Sequence, residues 1–353
     1  MLSPRTETIL RYIVGQYIAT AMPVSSAVIA GEYGLGVSTA TIRNEMAYLE
    51  QEGYITRHYS SAGSVPSDRG YRFYVEGLRD IELPMVEQRL ISHLFHQVEG
   101  ELGRWLSLAA TLVAKLAQNM AVVTMPKQAG CRFKHLELIA LQDSLVLVIL
   151  VLQGVKIKQQ LMTFNQIIPQ AELAAIAGKL NAAYSGLAES QVLTKATGLS
   201  PTEHQVTNYM IKMMQAEDAQ EYEEPYLDGL HFMLSQPEFT HSSQMLPLME
   251  LVEHRNLLRI IVPQGLGPRG VQVIIGKENK AEVIQNYSVI ISRYGLPKEA
   301  VGTIGVIGPT RMPYARAIST VDYLSSVLNG LVAELYGREP NVNTPGKAKK
   351  PRN

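Results

Sequence analysis

Apolar residues recur at helical spacing in the first third of the chain and switch to runs and alternation in the remainder. Ile9, Ile13 and Tyr17 follow Ser3-Pro4, a capping serine and a proline at the first helical position, and predict a helix over about Pro4 to Ile18. Ser25, after Pro23, caps a short second helix that ends before Gly34. Gly34-Leu35-Gly36 then reads as a tight turn, and Ser38 caps a third helix reaching Glu52, with Gly53 as its stop. Tyr54 to His58 is aromatic and β-branched, a strand pattern. A polar loop from Ser60 to Ser64 leads to a second extended stretch near Val65, so the segment reads as a winged helix-turn-helix.

Val86, Leu90, Leu94, Val98 and Leu102 stand at i+4 steps, and Trp105, Leu108, Leu112 and Leu116 follow, predicting connecting helices to about Met120. Strands are expected at Phe133–Leu141, Leu145–Leu152 and Val155–Met162. A mostly helical block follows from Pro169 to about Glu217. Strands return at Leu257–Val262, Val271–Ile275, Tyr287–Tyr294 and Gly302–Ile307, ahead of a final helix over roughly Pro313–Tyr336. A sheet interrupted by helices and then resumed indicates an α+β domain with an insertion. The longest apolar run, Leu145 to Leu152, is far shorter than the roughly 20 residues of a membrane span and reads as a buried strand.

Composition narrows the function class. The 353 residues carry 46% hydrophobic and 18% charged positions, enough apolar material for two or three cores. Lys+Arg and Asp+Glu both count 32, which excludes a chain-wide basic coat. Residues 1–78 hold six arginines, no lysine and seven acids, a net of −1, so DNA affinity there has to come from a few placed groups. A lone cysteine, Cys131, excludes intrachain disulfides and cysteine-based zinc sites and points to a reducing, cytoplasmic setting. The N-terminus has no apolar stretch followed by a small-residue cleavage site, so no signal peptide is read.

On the third helix, Ile42, Met46 and Leu49 are the expected core face. This places Ala40, Thr41, Asn44 and Tyr48 on the outer side with Arg43 at the flank. Arginine pairs bidentately with guanine and asparagine with adenine in the major groove, so this side has the chemistry of a recognition helix. Solvated helix positions of the same types are common, but they do not explain the capped helix-turn-helix and the wing together. The candidate DNA-binding residues are Ser25, Ser38, Thr39, Thr41, Arg43, Asn44, Tyr48, Arg57 and His58.

Other signals are weaker. Gly265-Leu266-Gly267-Pro268-Arg269-Gly270 spells a dinucleotide fingerprint, but it leads into a strand instead of opening a helix, so it is read as a hairpin turn. Gly302, Gly305 and Gly308 precede Thr310-Arg311 and a helix; they read as an anion cradle or, more simply, as sites of close packing with Arg311 in an ion pair. His93 and His96 share a helix face without an acidic or cysteine partner at ligand spacing, so no metal is expected. No catalytic constellation is evident and no cofactor is implied.

Pro23-Val24-Ser25, Tyr33 to Ser38, Ala40-Thr41-Ile42-Arg43-Asn44-Glu45-Met46, Gly53-Tyr54, Ser61-Ala62-Gly63 and Gly70 to Val75 together resemble the HrcA family of heat-inducible transcription repressors. Gln236-Pro237-Glu238-Phe239, Ile275 to Asn279, Tyr287 to Ile290 and Gly302 to Met312 continue the likeness. Ser64 stands where the family usually has a basic residue in the wing, and Pro313 where it usually has an acid. The resemblance implies a winged-helix domain (1–78), connecting helices (79–125) and a discontinuous GAF-like domain (126–164 and 225–338). It also implies an inserted, mostly helical dimerising domain (165–224), and the basic tail 339–353 reads as disordered. The implied function is repression of chaperone genes from an inverted-repeat operator by a homodimer kept active by the GroE chaperonin. A small-molecule sensor working through the GAF-like domain, or an enzyme using the glycine-rich sheet, are the alternatives.

Overall fold

The computed structural model of the chain describes residues 2–32, 38–57, 63–79, 81–98, 100–127, 131–153, 156–219, 224–239, 249–250, 260–261, 270–296 and 300–338. They divide into two compact units. One comprises residues 1–125, 224–295 and 302–353, the other residues 126–223 and 296–301.

The first unit begins with α1 (Pro4–Thr20), α2 (Ser26–Glu32) and α3 (Thr39–Gln51), followed by a two-stranded antiparallel wing, β1 (Ile55–Thr56) and β2 (Val65–Pro66), and by α4 (Asp68–Glu76). Ser3, Ser38 and Ser67 each accept a backbone N–H of the first turn of α1, α3 and α4, and the Val28 N–H donates to Ser25 Oγ in α2. Four serines thus satisfy donors that a helix start leaves orphaned. Ile9, Leu10, Ile13, Ile29, Ile42, Leu49 and Ile55 close the core.

Helix α4 was not anticipated. Ser67 caps it and Gly77 ends it.

Next come α5 (Met85–Gln97) and α6 (Leu102–Ala117), as expected, then an unexpected strand β3 (Met120–Val123). Gln118 ends α6 with φ +53°, a left-handed stop that no glycine marks in the sequence. Strand β3 lies between β7 (Tyr226–Asp228) and β10 (Ala300–Pro309) in a five-stranded GAF-like sheet of order β7-β3-β10-β9-β8. On the far side of β10 lie β9 (Tyr287–Leu296) and the edge strand β8 (Val271–Ile275), and the short α10 (Leu230–Leu234) follows β7. Helices α6 and α11 (Tyr314–Leu335) pack together against one face. Met120, Val122, Met233, Phe239, Tyr287, Val289 and Ile291 form the core on the other.

The second unit corrects the expected domain limits. Strands β4 (Phe133–Gln142), β5 (Leu145–Leu152) and β6 (Lys156–Thr163) were assigned to the GAF-like sheet, but they pair only with one another, antiparallel, in a separate sheet of order β4-β5-β6. Three consecutive strands joined by short connections close on themselves, and the partner that β10 needed was β3. The insertion is therefore α+β and spans 126–223, not the helical block 165–224 alone. Helices α7 (Gln170–Tyr184), α8 (Glu189–Lys195) and α9 (Pro201–Ala219) cover one face. Leu136, Leu138, Val146, Val148 and Leu150 there meet Leu173, Leu180, Val206 and Met210. Side-chain amides of α7 satisfy the edge of β4: Asn181 bonds both the N–H and the C=O of Leu136, and Gln170 bonds the Ala140 N–H and the Leu138 C=O.

Ile260 and Ile261 are helical where a strand was expected, an ambiguity intrinsic to short apolar runs. The rest of that strand, the turns at 34–36 and 265–269, His58 and the tail lie outside the described residues. Gly270, with φ +92°, leads directly into β8.

Candidate nucleic-acid interface

Helix α3 is fixed from both ends of its buried side. Ile42, Met46 and Leu49 face the core, and Glu45 reaches α1, accepting from Thr6 Oγ1 (2.6 Å) and Arg5 Nε (2.9 Å). The Thr6 hydroxyl, assisted by the Arg5 charge, holds the Glu45 carboxyl below its usual range. The side this leaves in solvent carries Ala40, Arg43, Asn44, Ala47, Tyr48 and Gln51. Tyr48 is 42% exposed, well above what a core tyrosine shows.

Thr41 departs from expectation. It is half-buried, and its hydroxyl lies 3.0 Å from Ser38 Oγ, within the cap. Ala47 and Gln51 were missed; carrying the Asn44–Tyr48 face one further turn would have found them.

The other candidates occupy varied settings. Ser25 and Thr39 are half-buried at the starts of α2 and α3, and Ser38 is exposed. Arg57, beside the wing, is engaged within the chain: its Nε bonds Ser64 Oγ at 3.1 Å and lies 3.3 Å from Glu50 Oε2. Ser64 is fully buried, with its N–H and C=O paired to Val24 across an isolated bridge, so it anchors the wing from inside.

The remaining arginines of this domain are similarly occupied. Arg5 pairs with Glu45, Arg11 lies over the Phe73 ring at 5.2 Å, and Arg69 stacks on Tyr54 at 4.3 Å. Arg72 bonds the Glu278 carboxylate and the Val273 carbonyl of the GAF-like domain. Among the described residues, Arg43 alone of the six has no carboxylate, carbonyl or ring partner. Its one bond goes to Ser26 Oγ at 3.3 Å.

The domain rests on the GAF-like sheet through a polar seam. The Lys277 N–H donates to Asp68 Oδ2 (2.9 Å), next to Gly276 in a left-handed conformation at φ +53°, where an added Cβ would strike the same carboxylate. Tyr71 packs at 5.8 Å from Tyr314, whose hydroxyl meets Ser288 and the Thr310 carbonyl; burial drives both phenols well above their usual pKa. Arg311 closes the far end. It holds Glu238 with two bonds (2.5 and 3.2 Å) and donates to the Ile18 carbonyl at 2.7 Å, near the end of α1. Burial opposes its charge, but Glu238 more than compensates and raises its pKa.

The glycine row of β10 is filled. A side chain at Gly302 would collide with the Tyr294 ring, one at Gly305 with the Ile290 carbonyl, and one at Gly308 with Asn119. The row serves close packing, and Arg311 belongs to the seam.

Comparison with known proteins agrees with this architecture. The family model "HrcA protein C terminal domain" matches residues 103–318, and "DeoR-like helix-turn-helix domain" matches residues 32–68. A heat-inducible transcription repressor HrcA from Dehalococcoides mccartyi is 54% identical, covering 96% of this chain and 99% of the relative. One from Herpetosiphon aurantiacus is 42% identical over 95% and 97%. A crystal structure described as a hypothetical protein at 2.2 Å resolution shares the fold, with a TM-score of 0.58 at 22% identity over 94% of this chain and 98% of that one. No helix among the described residues is long and apolar enough to cross a membrane. The chain belongs to the HrcA family of heat-inducible transcription repressors, and its N-terminal part carries the helix-turn-helix of a DNA-binding repressor.

Proposed function

We propose that the chain works in the cytoplasm as a homodimer that occupies an inverted-repeat operator, each protomer placing α3 in a major groove. Arg43 and Asn44 read base edges, Tyr48 and Thr41 lie alongside, and Ser25, Ser38, Thr39, Arg57 and His58 position the domain on phosphates. Its role is occupancy and not catalysis. The family resemblance supplies the regulatory half: the GroE chaperonin maintains the active form, and unfolded protein relieves repression by drawing the chaperonin away.

The dimer reading rests on one observation in the inserted unit. An unbroken apolar strand is the pattern of burial on both faces, yet in β5 only Val146, Val148, Leu150 and Leu152 are covered. Leu145, Leu147, Ile149 and Val151 remain half-exposed on the other face. They lie in register with exposed Ile139 on β4 and exposed Ile157 and Leu161 on β6. A second copy, presenting the same surface across a two-fold axis, covers this face without requiring any other partner.

Titration of an operator duplex with the purified protein tests the interface. Arg43→Ala costs about 1–3 kcal/mol per half-site and relaxes base preference at one position. Its single weak internal bond means that folding is spared. Unchanged affinity with an unchanged melting profile would remove α3 from the interface.

A further inference from the structure

Helix α3 carries one arginine, and its guanidinium is held by a single neutral group on another helix. Arg43 is exposed, its Nε donates to Ser26 Oγ at 3.3 Å, and among the described residues its two terminal nitrogens have no partner. Ser26 is half-buried at the first position of α2. Its hydroxyl is not needed to start that helix, because the preceding Ser25 accepts the Val28 N–H. Among the described residues the Ser26 hydroxyl bonds only Arg43. Two adjacent serines thus divide two tasks, one holding the start of α2 and the other reaching across to α3.

We infer that Ser26 is a positioning residue for base reading by Arg43. A guanidinium has two bidentate edges, one made of Nε with a terminal nitrogen and one made of both terminal nitrogens. The bond to Ser26 occupies the first edge and leaves the second, which matches the O6 and N7 acceptors of a guanine. An unrestrained arginine loses more rotamer freedom on binding than most side chains, and a tether in the free protein removes part of that loss beforehand. The tether spans the two helices of the motif, so a determinant of specificity lies outside the reading helix. No periodicity within α3 could have revealed it.

This inference rests on the reading that α3 enters the major groove, and one set of titrations separates the two. The full-length parent, Ser26→Ala, Ser26→Thr, Arg43→Ala and the Ser26→Ala/Arg43→Ala double variant are titrated with the operator duplex. They are also titrated with duplexes altered at the base pair where Arg43→Ala relaxes preference. Alanine is a better helix former than serine, so Ser26→Ala keeps its fold and its melting temperature. It is expected to weaken operator binding about fivefold per half-site, in the range of one hydrogen bond, and to flatten the preference at that base pair. Ser26→Thr, which retains the hydroxyl, restores both. On the Arg43→Ala background Ser26→Ala has no further effect, because its action passes through Arg43.

If Ser26→Ala binds like the parent while Arg43→Ala is weakened, the positioning role is wrong and α3 remains the reading helix. The role is equally wrong if Ser26→Ala weakens binding to the same extent on both backgrounds, or on all duplexes alike, since the hydroxyl then contacts DNA by itself. If Arg43→Ala leaves affinity unchanged, the α3 reading falls and the role of Ser26 falls with it.

Discussion

Arg311→Met separates the seam from the rest of the fold. The substitution keeps the aliphatic stem and removes the guanidinium, which makes two bonds to Glu238 and one to the Ile18 carbonyl while its side chain is 13% exposed. Breaking a buried pair costs about 3–5 kcal/mol, but the Glu238 side chain retains 25% exposure and the freed carbonyl can rehydrate, which brings the expected loss to about 2–3 kcal/mol. The Lys277 amide, bonded to Asp68 across the other end of the seam, reports domain opening directly. If the winged-helix domain lifts as a body, the loss appears there as roughly 30- to 150-fold faster hydrogen exchange. Exchange is measured by mass spectrometry on peptides covering residues 271–280, with Asn181-tethered strand β4 of the inserted unit as an internal standard. If Lys277 exchanges within twofold of the parent while Ile18 and Glu238 peptides change, the two ends of the seam are uncoupled and the reasoning fails.

Further outcomes follow from other parts of the molecule. Glu45 has a folded pKa below its unfolded value, so its contribution to stability is present above the unfolded value and is lost as pH falls through the folded one. Glu45→Gln should therefore destabilise at neutral pH, with the gap to the parent narrowing through the acidic range in chemical denaturation. Gly302→Ala forces the buried Tyr294 ring, bonded to the Thr124 carbonyl, to shift, at about 1–3 kcal/mol by overpacking; an unchanged melting temperature would mean that the ring gives way freely. Leu147→Glu on the outer face of β5 should convert dimer to monomer in sedimentation velocity without altering circular dichroism, and a persisting dimer would place the principal interface elsewhere.

The helix-turn-helix was legible because its punctuation is chemical: Ser3, Ser25 and Ser38 are capping residues in sequence and act as such in space. The solvent-facing side of α3 followed from where Ile42, Met46 and Leu49 had to point. Thr41 escaped because a cap hydroxyl and an outward hydroxyl look alike at one sequence position. Strand β3 was hidden by continuity, since Met-Ala-Val-Val prolongs the apolar run of α6 and the break falls on a glutamine. Strands β4 to β6 were located correctly and assigned to the wrong sheet, because alternation reveals that a segment is a strand but not which strand it will join. In α5 the recurrence of Val86, Leu90 and Leu94 predicted the helix but not its buried side, which holds Ile91 and Phe95. The seam was beyond sequence reading altogether, because Arg72–Glu278 and Arg311–Ile18 join positions more than 200 residues apart.

The seam also constrains how this DNA-binding head can be exchanged. Cutting after residue 78 strands Tyr71 beside the void left by Tyr314, leaves Arg72 without Glu278, and removes the amide that Asp68 accepts from. A head grafted from a relative brings half of a matched surface, and the match continues in the turn at Gly276–Glu278 and in Arg311. Chimeras between members of this family should behave well only when those downstream residues travel with the head, so the unit of inheritance is the head together with the patch it rests on.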